Sequence, residues 1–228
     1  MCRDERAQDC GTSRMKWEIL IPTVVDRHSQ LQRLIFSLSH QIMKYRGDII
    51  VTVLWNNYEH ELSELRQAML EYAEGEYVNF IDDDDNVTQD YCEKVYPLLD
   101  GVDYIGFRVA FYQHGQKQKQ VVHSLTSEGW FDNGEGYFRR GTLINPTKRE
   151  LMLKAGFKNS DYRKGIPEDT TYVQNIDPYL KTEHFIEDEV HIYMPTDDHA
   201  WSRFDKVQGD FTRPVLPQYF RFHPWSTK

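Results

Sequence analysis

The chain has 228 residues, of which 39% are hydrophobic and 14% aromatic, enough for the core of one large domain or two small ones. The formal net charge of −9 argues against a protein that coats nucleic acid non-specifically. No stretch is long and apolar enough to predict a membrane span, and residues 1–14 are too polar for a signal peptide, so we expect a loose N-terminal tail and a cytoplasmic location. Three cysteines, two of them in that tail, fit free thiols better than a disulfide framework or a zinc site.

Strands alternate with helices over the first hundred residues. Buried strands are predicted at 16–22, 48–55 and 77–81, each a short apolar run. Apolar residues at helical spacing lie between them: Leu31, Leu34, Ile35, Leu38 and Ile42, then Leu62, Leu65, Met69 and Tyr72, with Gly75 predicted to end the second helix. This order predicts an α/β fold, a mostly parallel sheet flanked by helices, in which ligands bind at the carboxyl ends of the strands.

Four consecutive aspartates, Asp82 to Asp85, follow the third predicted strand. Carboxylates this close repel one another and need a cation or hydrogen-bond donors. A predicted helix over 88–99 would bring its N-terminus close to the aspartates, and that terminus would stabilise one carboxylate but not four. A divalent cation shared with substrate phosphates is therefore expected, and the alternative is a solvated acidic loop.

The C-terminal segment, residues 201–228, differs from the rest of the chain. It carries five lysines and arginines against two aspartates, interleaved with seven aromatic residues. Such a segment can hold phosphates and stack bases or sugars. The alternative is that its aromatic side chains simply pack on the domain.

Several stretches, taken in order, resemble the family-2 glycosyltransferases with the GT-A fold, particularly the short single-domain versions found in bacteriophage genomes. They are "WEILIPTVVDRHSQLQRLIFSLSHQI", "GDIIVTVLWNN", "GEYVNFIDDDDNV" with its DXD (Asp-x-Asp) motif, and "YFRRGTLINPTKRELMLKAGFKNSDYRKGIPED". The resemblance spans residues 16–194. It implies one glycosyltransferase domain over 15–200, with a nucleotide-sugar half at 15–100 and an acceptor half at 101–200.

The resemblance also implies roles for the donor-side residues. Asp82 would face the ribose or the metal, Asp84 would bind the metal between the donor phosphates, and Asp85 would be a second ligand or a supporting residue. Donor contacts are further expected from Asp83 and, at the end of the first strand, from Pro22, Thr23 and Arg27.

On the acceptor side, the family's general base maps onto Asp169, with Glu168 beside it, in "PEDTTYV". The alternative interpretation is that this sequence is an ordinary helix start, with a proline and acidic residues in the first turn. A histidine from the C-terminal part often completes the metal site in this fold, and His199 is preferred here over His191.

The chain departs from the family after the second strand, where Trp55, Asn56 and Asn57 replace an expected aspartate pair. An asparagine amide can pair with a uracil edge and Trp55 can stack on it, so uridine is the expected base. Arg66 is the one basic residue kept in the stretch before the aspartates, where it either reaches the diphosphate or faces solvent.

These features together predict an enzyme that uses Mn²⁺ or Mg²⁺ to move a sugar from a UDP-sugar to an acceptor hydroxyl, with inversion at the anomeric carbon. The leading acceptor is 5-hydroxymethylcytosine in phage DNA, and the alternative is a cell-surface glycan. Two other classes stay open: a metal-dependent phosphoryl-transfer enzyme, because clustered aspartates suit that chemistry, and a non-catalytic sugar- or nucleotide-binding module.

Overall fold

The computed structural model describes residues 15–45, 47–57, 60–157 and 168–195, together with the backbone of 219–222. The predicted tail at 1–14, the candidate ligand His199 and most of the C-terminal segment lie outside the described residues. None of the helices described is long and apolar enough to cross a membrane.

Strands and helices alternate through the first half, and strands dominate the second. The strands are β1 Trp17–Val24, β2 Ile49–Asn56, β3 Tyr77–Phe80, β4 Asn86–Val87, β5 Tyr104–Gln113, β6 Gln116–Lys117, β7 Gln120–His123, β8 Phe131–Asp132, β9 Gly136–Arg139, β10 Thr147–Lys148, β11 Glu183–Tyr193 and β12 Tyr219–Phe222. The α-helices are α1 His28–Ile42, α2 Leu62–Tyr72, α3 Tyr91–Val95, α4 Arg149–Ala155 and α5 Glu168–Ile176.

The described strands form one mixed sheet. Its main path runs β12-β2-β1-β3-β10-β5-β7-β9-β8, and β11 pairs with both β5 and β4. β1 is parallel to β2 and β3, whereas β10 is antiparallel to β3 and β5. The predicted mixed α/β sheet flanked by helices is confirmed, and the carboxyl ends of β1, β2 and β3 meet at one edge, where the polar candidates lie.

The core has two layers, one on each face of the sheet. Alternate residues of a strand face opposite sides, and Ile19 and Ile21 accordingly pack with α1 while Leu20 packs with α2, α4 and α5. All eight residues of β1 are buried. Burial on both faces explains why β1 reads as a nearly continuous apolar run.

Gly75 does not end α2, contrary to the prediction. That helix ends at Tyr72, and Gly75 instead lies against the start of β1 and β3. A Cβ at Gly75 would lie 2.7 Å from the carbonyl oxygen of Tyr77 and 2.8 Å from the backbone nitrogen of Glu18. The Gly75 N–H donates to the buried carboxylate of Glu18 at 3.2 Å, so close backbone approach is what requires glycine here.

The single helix predicted over 88–99 is also wrong. β4 follows the aspartates directly, α3 covers only Tyr91–Val95, and a 3₁₀ turn continues to Leu98. Pro97 lies in that turn, and a proline has no N–H to continue the α-helical hydrogen bonds. The aspartates therefore do not lie at a helix N-terminus, and other groups must compensate their charge.

The C-terminal segment contributes a strand to the sheet. The backbone of β12 pairs antiparallel with β2, with Tyr219 opposite Leu54 and Phe222 opposite Val51. Part of the segment is thus continuous with the donor half of the sheet.

Candidate active site

The site is built on the aspartate turn, which we define as Asp82–Asp85. This turn follows β3 and is closed by a hydrogen bond from the Asp85 N–H to the Asp82 carbonyl at 3.0 Å. Arg66 binds Asp82, Arg27 binds both Asp83 and Asp84, and His191 binds Asp85, which explains how four like charges occupy consecutive positions.

Asp83 is held from the end of β1. Its carboxylate accepts hydrogen bonds from the Thr23 hydroxyl at 2.6 Å and from Arg27 Nη1 at 2.8 Å, and the side chain is buried. Burial raises the pKa of Asp83, although Thr23 and Arg27 oppose the rise. Thr23 and Arg27, which were predicted as donor contacts, therefore hold Asp83, while Pro22, one residue before Thr23, pairs with Leu54 of β2.

Asp84 has less compensation than its neighbours. Its Oδ2 lies 3.0 Å from Arg27 Nη1, an arginine that it shares with Asp83. Burial raises the pKa of Asp84 to about 7, and repulsion from Asp82 and Asp85 adds to the rise. A carboxylate in this position has excess negative potential that an additional cation would relieve.

Asp85 is anchored from behind by β11. It accepts hydrogen bonds from the Met194 N–H at 3.1 Å and lies 2.8 Å from His191 Nε2. His191 is fully buried, and its Nδ1 has no hydrogen-bond partner among the described residues. Of the two histidines considered from the sequence, His191 thus reaches the turn, as a partner of Asp85, while His199 is outside the described residues.

The turn fits a metal ion of one particular kind. Within the described residues no three His, Cys, Asp or Glu side chains are grouped as a complete protein cage. Mg²⁺ and similar hard cations commonly take only one or two carboxylates and complete their shell with water and substrate phosphates. Asp82, whose side chain is 39% exposed, and Asp84, with its raised pKa, are the oxygen donors suited to that arrangement.

Arg66 joins the aspartate turn to the start of α5. This buried arginine lies 2.6 Å from Asp82 Oδ1 through Nη2 and 3.3 Å from Glu168 Oε1 through Nη1. Burial raises the pKa of Glu168, Arg66 lowers it and the adjacent Asp169 raises it. The sequence left open whether Arg66 faces solvent, and the structure shows that it does not.

Glu168 and Asp169 lie in the first turn of α5, as the helix-start interpretation predicts for these two acids. The Asp169 Oδ1 accepts a hydrogen bond from the Thr170 N–H at 2.6 Å. Asp169 and Glu168 nevertheless line a cleft of about 570 Å³ together with Asp82, Asp85 and Arg66. The predicted base Asp169 and two of the predicted metal ligands, Asp82 and Asp85, thus share one cavity, whereas Asp84 is not among its lining residues.

Other lining residues of that cleft, which we call the far wall, come from β5, β7 and β9 and from the segment just before β8, and the sequence interpretation did not assign this wall. It includes Trp130, Tyr137, Arg139 and His123. Burial lowers the pKa of His123 to about 3. The aromatic and basic residues of "GWFDNGEGYFRR" could have indicated a binding surface. A local sequence pattern does not show, however, which cavity these residues line.

The residues at the end of β2 lie beside the end of β1, with Trp55 opposite Thr23 and Asn56 opposite Val24. The amide of Asn56 binds the His60 main chain, donating to its carbonyl at 2.8 Å and accepting from its N–H at 3.3 Å. Asn57 is exposed. None of the three lines the 570 Å³ cleft.

Comparisons with known proteins agree with this architecture. A family model described as "Glycosyl transferase family 2" matches residues 15–161, more than half of the chain. A comparison with curated protein sequences finds no match.

Solved structures of TarS from S. aureus share the fold. The structure of TarS 1-349 has a TM-score of 0.56 and 16% identity, covering 79% of this chain and 60% of that chain. TarS 1-349 in complex with UDP-GlcNAc has a TM-score of 0.53 and 16% identity, with 82% and 61% covered. The complex with UDP has a TM-score of 0.52 and 15% identity, with 86% and 67% covered. The present chain therefore spans about three fifths of the length of the first two.

Proposed function

This chain belongs to glycosyl transferase family 2, and on that premise we propose that it transfers a sugar from a UDP-sugar to an acceptor hydroxyl, with a divalent cation at the aspartate turn. The observation that carries the proposal is the shared cleft, in which Arg66 binds the carboxylates of both Asp82 and Glu168, next to Asp169. Complexes of the similar TarS fold with UDP and UDP-GlcNAc support the choice of uridine.

On the donor side, Asp82 and Asp84 would hold Mn²⁺ or Mg²⁺ together with the diphosphate, and Asp85 would support them through its bond to His191. When bound, the cation neutralises charge on the departing diphosphate. Arg27 fixes Asp83 and shares its charge with Asp84, so it keeps the turn in shape while the donor enters. The predicted contacts of Pro22, Thr23, Trp55, Asn56, Asn57 and Asp83 with the nucleotide stay part of this proposal.

On the acceptor side, Asp169 would act as the general base. The acceptor oxygen forms a bond to the anomeric carbon, the bond from that carbon to the phosphate oxygen breaks, and its electron pair leaves with UDP. The proton of the acceptor hydroxyl passes to the Asp169 carboxylate. Attack opposite the leaving group inverts the anomeric configuration. A positioned base typically contributes about 10²–10⁴-fold to the rate.

Glu168 would position this base rather than take the proton itself. Its carboxylate is bound to Arg66 at 3.3 Å, an arginine that also binds Asp82. The charge of Arg66 thus offsets two of the carboxylates that line the cleft and leaves Asp169 without a directly bonded cation among the described residues.

The acceptor proposed from the sequence, 5-hydroxymethylcytosine in DNA, remains the leading one. An aromatic and basic wall opposite Asp169 supports an acceptor that carries rings and negative charge. A neutral cell-surface glycan is the competing acceptor. Incubation with UDP-sugars and either hydroxymethylated or unmodified duplex DNA separates the two, because only the first predicts a sugar-sized mass increase that requires the hydroxymethyl group.

The donor chemistry is tested without knowing the acceptor. We expect UDP-GlcNAc or another UDP-sugar to be turned over slowly to UDP by water, and Asp169→Asn to lower this rate about 10²-fold or more. Asp188→Asn, a change at an exposed aspartate on β11, is the matched control and should have no effect. Equal rates in both variants would mean that Asp169 is not the base, and UDP-sugar binding without any turnover would favour a non-catalytic module.

A further inference from the structure

The far wall of the cleft contains a cation that the donor chemistry does not use. Arg139, at the end of β9, lines the cleft with Asp169. Its Nη1 donates to the main-chain carbonyls of Phe138 at 2.9 Å and Phe131 at 3.3 Å. Among the described residues it makes no ion pair, whereas Arg66 and its chain neighbour Arg140 both bind carboxylates.

Two aromatic rings fix the position of this guanidinium. It lies 4.9 Å from the ring centroid of Trp130 and 5.6 Å from that of Tyr137. The Trp130 ring is itself held by a hydrogen bond from its Nε1 to the Arg140 carbonyl at 3.2 Å, yet the residue is 40% exposed. We name these three residues, Trp130, Tyr137 and Arg139, the cation–π wall.

The wall has the properties of a binding surface for a ring that carries negative charge. Burial lowers the pKa of Arg139, and the negative charges of Asp132 and Asp169 partly oppose that fall without forming an ion pair with it. A guanidinium is weakly hydrated and binds phosphate oxygens in a planar fork. The exposed face of Trp130 offers a stacking surface for a base or a sugar.

Trp130 also determines how far a ligand can extend. Together with Val173 it lines both the main cleft and a neighbouring cleft of about 460 Å³. A unit stacked on Trp130 therefore has open space on either side, which suits one unit of a longer acceptor.

We propose that the cation–π wall is the acceptor subsite and that it selects a phosphate ester on a ring-bearing unit, with the ring on Trp130 and the phosphate on Arg139. This inference rests on the proposed glycosyl transfer and names the chemical class of its acceptor. A nucleotide unit of DNA and a phosphorylated sugar share this chemistry.

The test is ligand-observed saturation-transfer NMR with the full chain, in the presence of saturating UDP and diamagnetic Mg²⁺ so that the donor site is blocked. The probes are thymidine 5′-phosphate against thymidine and glucose 6-phosphate against glucose. We expect the phosphorylated member of at least one pair to bind more tightly, and the pair that does so identifies the source of the acceptor.

Three variants make the test specific. Arg139→Gln should remove the preference for phosphate, raising the Kd of the phosphorylated probe about tenfold. Trp130→Ala should weaken both members of the pair. Arg108→Gln is the matched control, because Arg108 also lies over an aromatic ring, Phe185 at 5.8 Å, but outside the cleft.

The outcomes separate this inference from the proposed function. No binding of any probe, no preference for phosphate, or equal loss in Arg139→Gln and Arg108→Gln would overturn the subsite. UDP binding measured on the same samples tests the donor site independently. The subsite can therefore be refuted while the donor site is supported, and the reverse. An acid-unfolding or thermal scan of each variant shows that lost binding is not lost folding.

Discussion

His123 should make the stability of this protein fall between pH 7 and pH 5. The side chain is 7% exposed, and its Nδ1 lies 2.9 Å from Asn145 Oδ1 and 3.0 Å from the Thr142 hydroxyl. The amide of Asn145 is oriented by donation to the Ile105 carbonyl at 2.7 Å, so its oxygen faces the imidazole. Neutral His123 with its proton on Nδ1 satisfies this arrangement.

The size of the effect follows from the pKa difference between the two states. Burial lowers the pKa of folded His123 from 6.5 to about 3. As the pH falls, His123 therefore binds a proton in the unfolded chain but stays neutral in the folded one. Its contribution to the free energy of unfolding is present above pH 6.5 and is lost below it. At pH 5.0 the loss is about 2 kcal/mol, which is about 1.36 kcal/mol for each of the 1.5 pH units below 6.5. For a chain of this length that lowers the Tm by about 4–8 °C.

Urea unfolding at pH 7.5 and 5.0 measures this effect. Carboxylates also titrate in this range, so the informative quantity is the difference between wild type and His123→Gln. We expect the variant to lose about 2 kcal/mol less than wild type between the two pH values, and His40→Gln, at an exposed histidine of α1, to follow wild type. Parallel pH profiles for wild type and His123→Gln would refute the reasoning.

Two further predictions concern the buried charges and the close backbone contacts. Arg66→Gln should lower the free energy of unfolding in urea by about 2–3 kcal/mol and should raise the KM for UDP-sugar. Breaking a fully buried ion pair costs about 3–5 kcal/mol, and the loss here is smaller because the Asp82 side chain is 39% exposed. Unchanged stability would contradict the role of Arg66 as a shared counter-charge. Gly75→Ala should lower the free energy of unfolding by about 1–3 kcal/mol, because the added Cβ would clash with the backbone of Tyr77 and Glu18. A decrease in Tm of less than about 2 °C would contradict this and show that the backbone relaxes there.

Local patterns predicted the donor half of the fold. β1, α1, β2, α2 and β3 lie where periodicity indicates them, and the aspartate turn lies at the carboxyl edge of the sheet. These features depend on residues close in sequence, whose burial pattern repeats every two or 3.6 residues. The helix after the turn was predicted too long, because apolar spacing alone does not account for Pro97, which has no N–H to continue the α-helical hydrogen bonds. β4 was not predicted because it exists only through pairing with the distant β11.

The compensation of the aspartates could not be predicted in the same way. Asp83 is bound by an arginine 56 positions away, and Asp85 by a histidine 106 positions away. Arg66, Arg27 and His191 were all sequence candidates for the donor or metal site, but which aspartate each of them binds was unknown. The cation–π wall was missed for a related reason, because the strands that carry it reach the cleft through tertiary pairing.

The most direct test of the donor site is calorimetric binding of UDP, with GDP as comparison, to the full chain with and without Mn²⁺. The aspartate turn predicts UDP binding that requires Mn²⁺, that is lost in Asp84→Asn and that is kept in Asp188→Asn. Binding of UDP that is equally strong without metal or in Asp84→Asn, or no binding at all, would contradict the assignment of the turn as a metal and diphosphate site.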